Sequence, residues 1–377
     1  MDFSLSEEQE LLQRSAREFL ERECPTAFVR SVMNDPDGFP RELYRQMAAL
    51  GWLGLLIPGS YGGLGLSMLD LALLMEEMGR AVVPGPFFSS AVLATVALLD
   101  AGSAAQRKAW LPRLVAGDAV ATLAFVEAND RLDADGITAR ARKGRAGYRL
   151  SGTKMFVTDA HIADVLITAC RTGGKGREGV SLFLVPRDAP GVTVHPLQTV
   201  DLTRRSMEVE FRDVEVPKAA TLGREGGGWK TVAKVLDAAC VTLAAESLGG
   251  AERALTLAVD YAKVREQFGR PIGAFQAVKH MAAEMVSEIE PARALVWYAA
   301  YAFDALPREA AKAASMAKAR MSDVFSRTTD RAVQIHGGIG FTWEHDMHLW
   351  FKRAKWNEYA FGDATYHRER LAQLAKF

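Results

Sequence analysis

Hydrophobic residues recur with a period of two between about residues 120 and 218, and with a helical period on both sides of that stretch. A single layer cannot serve both patterns, so the chain must build a β module between two helical blocks. Candidate strands in the middle stretch are 119–125, 148–157, 165–170, 180–185, 192–195 and 207–216, separated by Gly-rich turns. Short strands so spaced predict a small antiparallel sandwich or barrel. Upstream, Ser6 ahead of Glu7, Glu8 and Gln9 marks a capped helix start, with Leu12, Ala16, Phe19 and Leu20 on one face. Pro40 opens a second helix that Gly51 closes, and Ser67 caps a third through Met78. Downstream, a long Ala-rich helix runs from Trp229 to about Phe268, the next starts at Phe275 and is kinked at Pro291, and Gly337-Gly338-Ile339-Gly340 interrupts the last pair. The expected fold is α+β: an N-terminal helical domain over 1–118, a middle β domain over 119–222 and a C-terminal helical bundle over 223–377.

Composition narrows the function. Lys plus Arg and Asp plus Glu are both 46, so the formal net charge is zero and no chain-wide positive field exists to hold nucleic acid. At 49% hydrophobic and 24% charged, the chain is an ordinary folding sequence. Its three cysteines, Cys24, Cys170 and Cys240, have no C-x-x-C spacing. That argues against a disulfide scaffold or a zinc site and suits the cytoplasm. The acidic, amphipathic start MDFSLSEEQELLQ is unlike a signal peptide, and no apolar run is long enough to span a membrane.

Three segments carry a resemblance: REQFGRPIGAFQ (265–276), QIHGGIGFTWEHDMHLWFKRAK (334–355), and SYGGLG (60–65) supported by SGTKMFVTDAHIAD (151–164). Together and in this order, they make the chain resemble the acyl-CoA dehydrogenase family of flavoproteins over essentially its whole length. The resemblance implies FAD and an acyl-CoA bound between the β module and the C-terminal helices. A carboxylate removes the α-proton of the thioester while the β-hydrogen leaves as hydride to the flavin, giving a 2,3-enoyl-CoA. Electrons then pass to an electron-transfer flavoprotein or another acceptor.

The resemblance assigns cofactor residues one by one. Arg265 matches the arginine that reaches a neighbouring subunit's FAD pyrophosphate, for which a guanidinium's paired donors are suited. By charge alone, it reads as a solvated helix-end arginine. Gln276 is the other FAD-contacting position of that motif, whereas Phe268 reads more readily as a core aromatic. Gln334, Gly337 and Gly338 match the stretch that contacts the partner subunit's dinucleotide; a helix cap followed by a loop would look the same. His336 reads as structural. Phe156, Val157 and Thr158 match the strand lying against the flavin ring, though an alternating strand with no flavin would look similar.

Two departures matter more than these matches. Many relatives open the β module with a T-E-P-x-x-G-S-type loop that holds the FAD pyrophosphate. Here, the place reads Ala124-Phe125-Val126-Glu127-Ala128-Asn129-Asp130-Arg131-Leu132-Asp133, and a carboxylate-rich loop is a poor phosphate cradle. The family's catalytic Glu usually stands 25 residues after the position of His336, where this chain has Phe361, or in a minority 26 residues before that of Arg265, where it has Ala239. Neither side chain accepts a proton. Glu246, about 10 Å further along the helix axis, and Asp363, two residues past Phe361, are substitutes in principle. A buried or paired Glu and a capping Asp are the plainer readings.

The chain thus keeps what a subunit lends to its neighbour's flavin and loses what it uses on its own. That is the pattern of bacterial relatives acting on steroid side-chain CoA thioesters, in which two homologous chains form an α2β2 assembly. The expectation is a subunit of an FAD-dependent acyl-CoA dehydrogenase completed by a homologous partner that supplies the base. The alternatives are a self-sufficient homo-oligomer using Glu246 or Asp363, a flavin monooxygenase on the same fold, and a silent structural subunit. The small residues Ala239, Gly249 and Gly250 would leave room for a large acyl group, but they also suit close helix packing.

Overall fold

A computed structural model describes residues 4–376; positions 1 and 377, the outer limits of the expected first and third domains, lie outside the described residues. Helix α1 (Glu7–Glu23) starts as the sequence predicts. The Ser6 hydroxyl accepts from the Gln9 N–H while the Gln9 side chain accepts from the Ser6 N–H. Helix α2 (Thr26–Asn34) follows Pro25, and α3 (Arg41–Ala49) follows Pro40 and stops before left-handed Gly51. The same reciprocal cap, Ser67 with Asp70, opens α4 (Met68–Ala81), which runs beyond the expected Met78. A π-helical segment, Phe88–Ala94, leads into α5 (Thr95–Ala101), and α6 (Ala104–Ala116) stops at left-handed Gly117.

The strands are β1 (Ala121–Ala124), β2 (Arg140–Lys143), β3 (Gly147–Thr158), β4 (Val165–Arg171), β5 (Val180–Pro186), β6 (Val192–Pro196), β7 (Ser206–Pro217) and β8 (Thr221–Leu222). They form one sheet in the order β6-β7-β3-β2-β4-β5-β8, with β1 beside β4. Neighbours pair antiparallel except β1 with β4 and β2 with β4, which are parallel. Strands β4 and β5 read as nearly continuous apolar runs because both their faces are buried.

Helix α7 (Gly228–Val264) ends earlier than expected, because the chain turns into a hairpin of β9 (Glu266–Gln267) and β10 (Arg270–Pro271). Then come α8 (Gln276–Ala305), with Pro291 inside it, α9 (Ala310–His336), α10 (Met347–Tyr359) and α11 (Ala364–Ala375). No helix among the described residues is long and apolar enough to cross a membrane.

The chain divides into two compact units. One, Val32–Leu66 with Pro84–Ala239, holds the sheet. The other, Met1–Ser31, Ser67–Val83 and Cys240–Phe377, is helical. In the helical unit, α4 and α7 meet backbone to backbone. A Cβ on Gly79 would lie 1.9 Å from the Glu246 carbonyl oxygen, and one on Gly249 would lie 1.7 Å from that of Glu76. A Cβ on Gly250 would strike the Phe325 ring at 2.4 Å. Gly249 and Gly250 therefore serve close helix packing and, contrary to expectation, leave no room for an acyl group at those positions.

Candidate functional site

In the helical unit, the ends of α7 and α9 meet where Tyr261 stacks on His336, ring centroids 4.7 Å apart. That contact brings the segment bearing Arg265 beside the one bearing Gln334, Gly337 and Gly338. The Arg265 N–H donates to the Tyr261 carbonyl (2.9 Å), and its own carbonyl accepts from the Ile272 N–H (2.8 Å), so the hairpin base is fixed. The Arg265 guanidinium is exposed, with no hydrogen bond or ion pair among the described residues. Gln276, the first residue of α8, and Gln334, on the last turn of α9, are exposed as well. Gly337 takes φ +66, and a Cβ on it or on Gly338 would meet nothing within 4 Å. The backbone there is open to an approaching ligand. His336 is buried and donates from Nδ1 to the Ala332 carbonyl (2.7 Å), a structural role.

Phe268 corrects an expectation. It is 92% exposed, at φ +54 on the hairpin tip, rather than a core aromatic. A two-residue hairpin turn with Gly269 also left-handed (φ +77) leaves the Phe268 ring outside, in edge contact with Phe275 at 6.1 Å. Val264, Phe341 and Trp343 are exposed too.

In the sheet unit, β3 bulges against β7 between Lys154 and Val157. The bulge holds Phe156 at φ +54 with 57% of its surface exposed, while Thr158 is buried. The loop after β1 is closed on itself. Glu127 pairs with buried Lys154 (2.6 Å) and accepts from the Ala139 N–H (2.9 Å) and the Thr138 N–H (3.0 Å). Burial pushes the Glu127 carboxyl up, but Lys154 and these donors outweigh it and hold the group below its usual range. Asp133 pairs with Arg131 (2.7 Å) and accepts from the Gly136 N–H (2.9 Å), and Asn129 Nδ2 donates to the Gly136 carbonyl (2.8 Å). A loop in which three carboxylates outnumber one guanidinium, itself paired with Asp133, does not fit a pyrophosphate. The donor set around Arg265 and Gly337 does.

The family's two base positions are both without a carboxylate. Ala239 is fully buried in α7. Phe361 lies half-buried in the turn between α10 and α11 at φ +59, an unusual conformation for a bulky residue. Buried Lys318, on α9, clamps that turn. Its Nζ donates to the carbonyls of Gly362 (2.7 Å) and Glu358 (3.0 Å) and to Ser322 Oγ (3.1 Å), and burial pulls its pKa down to about 8. His367 Nε2 donates to the Phe361 carbonyl (3.0 Å) and lies 3.6 Å from Cys240 Sγ. Glu246 is buried against Arg353 (2.5 Å) and Asn357 Nδ2 (3.0 Å). Asp363 caps α11 by accepting from the Tyr366 N–H (2.7 Å). Lys318 and His367 escape a reading of the sequence because their partners are backbone carbonyls and a distant cysteine. The only signal for Lys318 is a lysine on the apolar face of an Ala-rich helix.

Burial, then the nearby Lys318 charge, lowers the His367 pKa to about 3 from the ordinary 6.5. Between these values, the unfolded chain binds a proton that the folded chain refuses. Stability from this group is complete above pH 6.5 and falls as the pH drops towards 3, by up to about 1.4 kcal/mol per unit. Urea unfolding at pH 7 and pH 5 should show this slope, and His367→Gln should flatten it; an unchanged slope refutes the assignment.

Family models described as the N-terminal, middle and C-terminal domains of acyl-CoA dehydrogenase match residues 6–118, 122–214 and 226–375. An acyl-CoA dehydrogenase of Bacillus subtilis (strain 168) is 34% identical, with 93% of each chain covered. The solved butyryl-CoA dehydrogenase of Megasphaera elsdenii is 31% identical with a TM-score of 0.92, covering 100% of both chains. The solved Tcur3481-Tcur3483 steroid ACAD is 32% identical with a TM-score of 0.88, covering 99% of both.

Proposed function

The chain belongs to the acyl-CoA dehydrogenase family, and from that premise we propose that it is one subunit of a heteromeric, FAD-dependent acyl-CoA dehydrogenase, acting in the cytoplasm on lipid- or steroid-derived thioesters. The observation that carries this reading is the state of the carboxylates. Phe361 and Ala239 occupy the base positions, Glu246 is held in a buried ion pair, and Asp363 caps a helix. No group at either place is poised to take the α-proton of a thioester. A homologous chain with a Glu at either position supplies that step.

What this chain contributes is the pyrophosphate contact. Arg265 provides a guanidinium, Gln276 and Gln334 provide amides, and Gly337 and Gly338 provide open backbone. Phe156 and Thr158 are assigned to the ring-facing strand. The bound FAD supplies the hydride acceptor, and an electron-transfer flavoprotein is the proposed onward acceptor. The exposed Phe268, Val264, Phe341 and Trp343 suit coverage by a neighbouring subunit, since so much large apolar surface is costly in water. A similar solved enzyme is itself named as a pair, Tcur3481-Tcur3483.

The test is co-expression with a homologous chain bearing the Glu, then a flavin count on the purified assembly. One flavin for every two chains supports the shared site. One flavin per chain in the isolated protein, with turnover of an acyl-CoA, overturns it.

A further inference from the structure

Within the helical unit, α1, α4, α7 and α10 line a part-open pocket of about 260 Å³. Its wall carries three guanidinium groups, Arg17, Arg80 and Arg253, against Leu20, Cys24 and Trp350. The volume is far above the ~15 Å³ that admits one water. Nothing in the proposed function uses this space.

The three arginines differ in how well they are matched. Arg17 makes a fork to Glu77, at 2.9 and 2.7 Å. Arg80 is held loosely, 3.7 Å from Glu77 and 3.4 Å from Glu252, beyond the roughly 2.7–2.9 Å of a good charge-assisted bond. Arg253 is half-buried and has no hydrogen bond or ion pair among the described residues. Burial, and next the charge of Arg80, push its pKa below the ordinary value. The neighbouring acids are already shared: Glu77 takes the fork of Arg17, Glu76 pairs with Arg293, and Glu252 pairs with Arg293 as well as lying 3.4 Å from Arg80. Burial pushes the Cys24 thiol up to about 12, so it brings no negative charge. Glu21, exposed on the wall, is the one remaining acid of the lining.

An unmatched guanidinium facing a like charge in a part-enclosed space is electrostatically incomplete. We propose that this cavity is a binding site for a small oxyanion, a phosphate or carboxylate group, held by Arg253 and Arg80. The planar forks of the two arginines suit the paired oxygens of either.

The full-length protein is titrated with inorganic phosphate and, separately, with acetate, while sodium chloride keeps the ionic strength constant, and the melting temperature is followed. The wild type should show a saturable rise with at least one of them; the stronger response identifies a phosphate or a carboxylate ligand. Arg253→Gln should weaken the apparent affinity by about tenfold or more. Glu21→Gln, at an exposed position, should tighten it by removing a competing charge. If Arg253→Gln fails to fold, Glu21→Gln decides alone. An unsaturable rise shared by wild type and both variants is general salt exclusion and overturns the site. So does a midpoint that neither substitution moves.

Discussion

Arg353→Met should lower the stability of the protein by roughly 3–5 kcal/mol, because it takes the counter-charge from the buried Glu246 carboxylate. Arg353 and Glu246 are each about 1% exposed and 2.5 Å apart, and Asn357 takes the second carboxylate oxygen at 3.0 Å. The double variant Glu246→Leu with Arg353→Met should recover most of the loss, since replacing both charges with apolar groups removes the desolvation penalty together with the attraction. Urea unfolding of the three proteins measures the cycle. A single-variant loss under 1 kcal/mol would mean that the pair is not the rigid structural link described here, and it would return Glu246 to candidacy as a base.

The ion pair also marks where the sequence stops being legible. Local signals read correctly: the caps at Ser6 and Ser67, the break after Ala49 at Gly51, and the runs of apolar residues in β4 and β5 all depend on residues a few positions apart. Strand β2 was missed because Arg-Ala-Arg-Lys buries only Ala141, so no apolar alternation announces it. Helix α2 was missed beside the Pro25 and Asp-Pro-Asp-Gly signals that bracket it. Glu246 with Arg353 is a contact across 107 positions, and no spacing rule predicts it. Phe268 failed for the opposite reason. Its apolar character was legible, but its place on a hairpin tip was not, because the pairing of β9 with β10 rests on two residues per strand.

Within the candidate site, motif order proposes Arg265, Gln276, Gln334, Gly337 and Gly338 as the cofactor contacts. That the Arg265 segment lies beside the Gln334–Gly338 segment rests on Tyr261 stacking on His336, which no motif encodes. The self-closed loop around Glu127 sharpens a departure that the sequence shows as a carboxylate-rich stretch in place of a phosphate cradle. Glu127 is engaged with Lys154 and Thr138, and Asp133 with Arg131.

In the proposed two-chain assembly, three substitutions should have unequal effects. Arg265→Ala in this chain should weaken flavin retention by about 10- to 100-fold, the loss of a charge-assisted contact to phosphate, with turnover falling in step as flavin is lost. Added FAD should restore the turnover, which separates binding from chemistry. Asp363→Asn should leave the rate unchanged, because asparagine also caps a helix and the proposed base belongs to the homologous chain. Replacing the base of the homologous chain with glutamine should instead lower the rate by about 10²–10⁴-fold with flavin content intact. Flavin absorbance and acyl-CoA turnover, read on the same samples, distinguish the outcomes. A large rate loss from Asp363→Asn with flavin retained would place the proton acceptor in this chain, and Phe361 would then mark a relocated base rather than an absent one.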